Sequence, residues 1–126
     1  MTQGCTLHVG LDIIRVSRVE RAIRRWGDHF LDRVFTPAER QECGERPASL
    51  AARFAGKEAV LKALGTGRTR GIRWTDVEIR TRATGEPWVQ LHGAAARWAT
   101  ALGVKEWRIS LTHDGDMAAA IVVALG

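Results

Sequence analysis

The chain has 126 residues and only two cysteines, Cys5 and Cys43. Two thiols cannot build a disulfide framework, and their separation matches no zinc-ligand spacing. Two reduced thiols in a cytoplasmic protein are therefore expected. No apolar run approaches the length of a membrane span, and Met1-Thr2-Gln3-Gly4-Cys5-Thr6 lacks a basic segment followed by a long apolar one. No membrane association is expected. Repeats, low-complexity runs and linkers are also missing, which leaves one domain over residues 1–126. Acidic residues are in deficit, 14 against 19 lysines and arginines, for a net charge of +5. The sequence pI near 10.2 points to an acidic or phosphorylated partner without choosing among nucleic acid, an anionic cosubstrate and an acidic protein.

What is present is enough for a core. Hydrophobic residues make up 45%, including five Trp, and charged residues 26%, an ordinary share for a folded protein. Leu7, Val9, Leu11 and Ile13 alternate with His8, Gly10 and Asp12, the period of a strand, with Asp12 opposite the leucines. Residues 16–26 read as an amphipathic helix with Val16, Val19, Ile23 and Trp26 on one stripe. Arg15, Arg18, Arg21, Arg24 and Arg25 cover its other side against a single acid, Glu20. Thr36-Pro37-Ala38-Glu39 is a capping box with proline at the first helical position. Pro47 opens a long helix that runs through Phe54 and Leu61 to a stop at Gly65.

Val77 to Thr81 and Trp88 to Leu91 read as paired strands around Thr84-Gly85-Glu86-Pro87, and Gly93 to Leu102 as an Ala-rich helix. Trp107 to His113 alternates again. Met117 to Leu125 is apolar throughout, as a strand buried on both faces would be, one of them against its own chain or against another subunit. The pattern is α+β, a mainly antiparallel sheet on a long central helix.

The chemistry concentrates in Phe54-Ala55-Gly56-Lys57-Glu58-Ala59-Val60-Leu61-Lys62-Ala63. Glu58 and Lys62 stand one helical turn apart on one face. They offer a carboxylate to a hard cation and an ammonium to the phosphate that such a cation would hold. Asp12 could supply a second carboxylate. The residues alone leave alternatives open: a Glu58–Lys62 salt bridge, and Asp12 as a helix cap. His113 ends a strand where it could reach a ligand or stay structural. Gly65-Thr66-Gly67 follows a helix, where a stop is the simpler reading than a phosphate cradle. The arginine face of residues 15–25 could dock on an acidic helix or on nucleic-acid phosphate. A nucleic-acid-binding module without catalysis is the second reading, although no such motif is present.

In order and spacing, these segments resemble the holo-acyl-carrier-protein synthase family, the small 4'-phosphopantetheinyl transferases. Gly10-Leu11-Asp12 is similar to the family's opening Gly-x-Asp, and Phe54 to Ala63 with Gly65-Thr66-Gly67 to its central helix. Ser110-Leu111-Thr112-His113-Asp114 is similar to its closing segment, with Thr112 where a serine is common. The resemblance runs from about Val9 to Val123. It implies transfer of 4'-phosphopantetheine from coenzyme A to a serine of an apo acyl carrier protein, with release of adenosine 3',5'-bisphosphate. It implies Mg²⁺ on Asp12 and Glu58, Lys62 as a catalytic and coenzyme A-binding residue, Gly65 and His113 on the cosubstrate, and Glu58 as a candidate base. Arg18, Arg21 and Arg25 would bind the acidic carrier. It further implies a cyclic homotrimer, with a carrier of fatty acid biosynthesis as the default partner and no nucleic acid. Arg46, Arg53 and the Arg68–Arg70 loop receive no role.

Overall fold

A computed structural model of the chain describes residues 6–126. Strand β1 covers Leu7–Arg15 and runs directly into helix α1, Val16–Trp26. Helices α2 (Asp28–Val34), α3 (Pro37–Cys43) and α4 (Pro47–Leu64) follow. A single 3-10 turn, Trp74–Asp76, leads into β2 (Val77–Thr81) and β3 (Pro87–Leu91). Helix α5 (Gly93–Ala101), β4 (Glu106–Asp114) and β5 (Met117–Leu125) complete the chain.

The fold is α+β with antiparallel sheets. β5 is the middle strand of a three-stranded sheet ordered β1-β5-β4, and β2 and β3 form a separate hairpin. Local chemistry explains most boundaries. Thr36 and Glu39 form the capping box of α3, with Pro37 at its first position. α4 ends where Gly65 adopts a left-handed φ of 74°, while the Thr66 N–H bonds back to the Leu61 carbonyl at 3.3 Å, a Schellman-type stop. The start of α1 is capped from far away: Asp116 accepts the Ser17 N–H and the Ser17 hydroxyl, both at 2.8 Å.

α4 is enclosed on most of its circumference. Leu50, Ala51, Ala55, Ala59, Val60, Leu61 and Ala63 are all buried, which explains its lack of amphipathic periodicity. Its small residues let the sheet come close. A Cβ on Gly10 would stand 1.8 Å from the Ala59 carbonyl oxygen, so only glycine permits this approach of β1 to α4.

Within the described chain β5 is buried on one face: Ala118, Ala120, Val122 and Ala124 face the core, and Ile121 is exposed, because no part of the described chain covers the outer side. Leu7, Val9, Leu11 and Ile13 extend this open apolar face, each more than half exposed at 56–62%. Trp26, placed by periodicity on the buried stripe of α1, is 56% exposed. The helix ends one residue later at Gly27, whose φ of 54° turns the chain into α2 before the ring can be covered.

Candidate active site

Gly10 brings β1 against α4, and Asp12, two residues further on the same face, meets the exposed edge of that helix. The Nζ of Lys62 donates to the Asp12 carboxylate at 3.0 Å and to the Leu11 carbonyl at 2.9 Å. Glu58, one turn before Lys62, makes no ion pair among the described residues. It borders a small hollow of about 160 Å³ together with Asp12, Ile13, Ile14, Arg18 and Phe54. Burial, and next the negative charge of Asp12, push the Glu58 carboxyl above its ordinary value, while Lys62, Arg18 and Arg68 pull the other way. A larger hollow of about 630 Å³ lies elsewhere, lined by residues that include Ile23, Leu31 and Leu50, with Arg40 paired to Asp28 at 2.9 Å on its rim.

Both bland alternatives for the carboxylates are absent. Lys62 turns to Asp12 instead of Glu58, and α1 is capped by Asp116 instead of Asp12. Two carboxylates bordering one hollow, Glu58 raised first by burial and next by the charge of Asp12, form a donor set suited to a hard divalent cation. Among the described residues no cluster of three or more His, Cys, Asp or Glu exists. A cation held here would keep positions for water and phosphate oxygens, as Mg²⁺ does.

The remaining predicted residues are spread around this pair. Arg18 lines the hollow, and Arg21 and Arg25 are exposed on the outer side of α1, with Arg25 stacked on Trp26 at 5.0 Å. Gly65 is exposed and closes α4 just beyond Lys62. His113 is exposed at the end of β4 and pairs with Ala118, which itself pairs with Ile14. It is therefore two strands from β1, roughly 10 Å by sheet spacing, and this chain alone does not bring it to Glu58.

Reading the sequence missed the other lysine of the motif. Lys57 and Glu39 are both fully buried, with Nζ 2.8 Å from the carboxylate. Lys57 also donates to the carbonyls of Trp74, at 3.1 Å, and Val77. Glu39 accepts the Ile79 N–H at 2.7 Å and the Thr36 N–H at 2.8 Å. Burial pushes the Lys57 ammonium below its ordinary value, and Glu39 works against that shift. The capping-box Glu39 was visible in the sequence, but its second task, 18 residues away in α4, was not.

The undecided arginines also find places. Arg46 donates to the Cys43 and Glu42 carbonyls at 3.0 and 3.1 Å, closing α3, and Arg53 donates to the Thr81 hydroxyl. Arg68 stacks on Trp74 at 5.0 Å and Arg70 on Trp98 at 3.9 Å. No helix among the described residues is long and apolar enough to cross a membrane.

The model of the 4'-phosphopantetheinyl transferase superfamily matches residues 8–122. The chain is 43% identical to the holo-[acyl-carrier-protein] synthase of Herpetosiphon aurantiacus, over 95% of this chain and 99% of that protein. It is 48% identical to the same-named protein of Desulforudis audaxviator, over 95% and 93%. Among solved structures, it is similar to Helicobacter pylori holo-[acyl-carrier-protein] synthase in complex with coenzyme A, with TM-score 0.84, 29% identity and coverage of 92% and 98%. The Neisseria meningitidis enzyme matches with TM-score 0.84, 32% identity and coverage of 93% and 96%. A match of this extent places the chain, with its helix-borne Glu58 and Lys62 beside the Asp12 strand, among the members of the 4'-phosphopantetheinyl transferase superfamily.

Proposed function

We propose that this protein transfers 4'-phosphopantetheine from coenzyme A to a serine hydroxyl of an apo acyl carrier protein, releasing adenosine 3',5'-bisphosphate. The observation that carries the reading is the meeting of Asp12, Glu58 and Lys62 at the closest approach of β1 and α4. The relatives named holo-[acyl-carrier-protein] synthase and the coenzyme A carried by the Helicobacter pylori structure support the substrate class.

Phosphoryl transfer asks a protein mainly for position and charge neutralisation. The bond formed joins the serine oxygen to the phosphorus that carries the pantetheine arm, and the bond broken joins that phosphorus to the nucleotide oxygen. Asp12 and Glu58 would hold Mg²⁺, which supplies positive charge to the pyrophosphate oxygens. Lys62 exchanges Asp12 for those oxygens and adds its own charge. Glu58, or a water it orients, takes the serine proton. Gly65 and His113 contact the cosubstrate, and Arg18, Arg21 and Arg25 steer the acidic carrier.

His113 reaches the reaction from a neighbouring copy, in a cyclic homotrimer that covers the open apolar sheet face. The physiological setting proposed is fatty acid biosynthesis in the cytoplasm, with the whole chain acting as one domain.

Intact-protein mass spectrometry of an apo carrier incubated with this protein, coenzyme A and Mg²⁺ tests the reading. A gain of one phosphopantetheine, lost with EDTA, is the expected result. Glu58→Gln lowers the rate at least about a hundredfold in the same assay. No gain with any of several apo carriers would overturn the proposal.

A further inference from the structure

Around Glu58, α4 is held on three sides. At about 100° per residue, Phe54, Glu58 and Lys62 form its front row, Gly56 lies at the back, and Lys57 and Ala59 stand at the sides. Ala59 lies against Gly10 of β1. The side chains of Ile79, Ile109 and Leu111 close on Gly56, so near that an added Cβ would stand 3.2–3.3 Å from them. Such apolar packing is non-directional and sets how near the helix lies more than how it is turned. The third side is directional. The Lys57 ammonium has three donors, and three oxygens take them: the Glu39 carboxylate at 2.8 Å, the Trp74 carbonyl at 3.1 Å and the Val77 carbonyl. Glu39 is itself pinned by two backbones, the Ile79 N–H of β2 at 2.7 Å and the Thr36 N–H at the start of α3 at 2.8 Å. Thr36 is tied in turn to the buried Glu78, which meets His92 at 3.0 Å. The same lysine steadies the edge of the hollow. Trp74, held by its carbonyl, meets Phe54 edge-on at 5.0 Å, and Phe54 borders the hollow with Glu58 and Asp12.

We propose that Glu39 is a positioning residue for the transfer reaction, acting through Lys57 to set the turn of α4 at Glu58 and the Phe54 edge of the hollow. The inference rests on the proposed transfer and adds to it a fully buried residue that touches neither substrate. Stability alone does not call for the pair, because exchanging a buried ion pair for apolar side chains of similar volume is often neutral or stabilising. What apolar side chains lack is direction. An ammonium caught between three fixed oxygens holds one orientation, whereas a methionine in the same space fits in several. Lys57 precedes Glu58 in the chain, so a turn of the helix at one is passed to the other, and a small misplacement of a reacting group costs much rate.

The test compares wild type with Glu39→Gln/Lys57→Met, in which glutamine keeps the capping box and the acceptor for Ile79 while the bonds of the ammonium are lost. The stability control is Val104→Ala, a core truncation between α5 and β4. Rates are read well below the melting temperature of every variant. The expected result for the double variant is a kcat lower by about tenfold or more, with KM for coenzyme A and for the apo carrier within about threefold of wild type. Val104→Ala should keep kcat within about twofold. Carboxyl NMR of the metal-free proteins reads the surroundings of Glu58 without turnover: its midpoint should move to lower pH, toward its ordinary value, in the double variant and stay in place in the control. Should the double variant not fold, Glu39→Asp keeps the charge but draws it back by one methylene, and kcat should fall by about threefold or more. A folded variant with the wild-type kcat and the wild-type Glu58 midpoint reduces the pair to a structural joint and overturns the proposal. Absence of transfer by the wild type overturns the reaction, and the Glu58 midpoint then still decides whether Glu39 positions that carboxylate.

Discussion

Helix α4 carries two lysines five residues apart, and their fates are opposite. Lys57 is sealed in the core against Glu39, both side chains at 0% exposure, and holds α3, α4 and β2 together. Lys62 lies in the open, 54% exposed, against an Asp12 that is 17% exposed. The intrinsic chemistry of the two side chains is identical. What differs is helical phase: a step of five residues turns the second lysine about 140° away from the first. A buried ion pair is costly to break because the surviving charge stays out of water. An exposed one contributes little to stability and can exchange partners. The first arrangement suits a fixed joint, the second a group that must leave its partner to meet a phosphate.

The sharpest way to break this contrast is Lys57→Met. It leaves Glu39 charged and buried, and unfolding by urea should show a loss of about 3–5 kcal/mol. The double variant Glu39→Gln/Lys57→Met should recover part of that loss, which a double-mutant cycle would read directly. Next in size is Gly10→Ala. The added methyl strikes the Ala59 carbonyl, so β1 must retreat from α4. A cost of about 1–3 kcal/mol is expected, together with a fall in transfer activity larger than the stability loss explains. Lys62→Ala inverts the pattern: thermal unfolding should change by less than about 1 kcal/mol, while transfer falls by at least about tenfold. The smallest effect concerns Glu58 itself. Asp12→Asn removes the like charge that helps to raise its pKa, so the Glu58 carboxyl in metal-free protein should titrate at lower pH than in wild type. Carboxyl NMR would show it, and an unchanged midpoint would mean that burial alone sets the shift.

The elements legible in the sequence were those defined by nearby residues. The Thr36–Glu39 box, the Pro47 and Gly65 limits of α4 and the alternating strands need only local chemistry, and the structure shows each of them. Residues 16–26 form a helix with those limits. α2 was illegible: its seven residues are too few to display a period, and no side chain caps its start. The partners of Lys57 and Lys62 were illegible for a different reason. Glu39 is 18 positions away from the first lysine and Asp12 is 50 from the second, so only the packed fold brings them together. The same limit applies to Asp116, which caps α1 across 99 positions. It also applies to Gly10, whose need to be glycine appears only once Ala59 is beside it.

The order of the three-stranded sheet sets a schedule. The strand made last, β5, is the one that joins β1 to β4, since those two do not pair with each other. As the chain emerges residue by residue, β1 has no strand to pair with until Met117–Leu125 is available, and α1 waits for Asp116 to cap it. Asp12 therefore gains its strand register only from residues more than a hundred positions later in the chain. A chain lacking β5 would hold α4 and its Glu58 without the strand pairing that sets the register of Asp12 beside them.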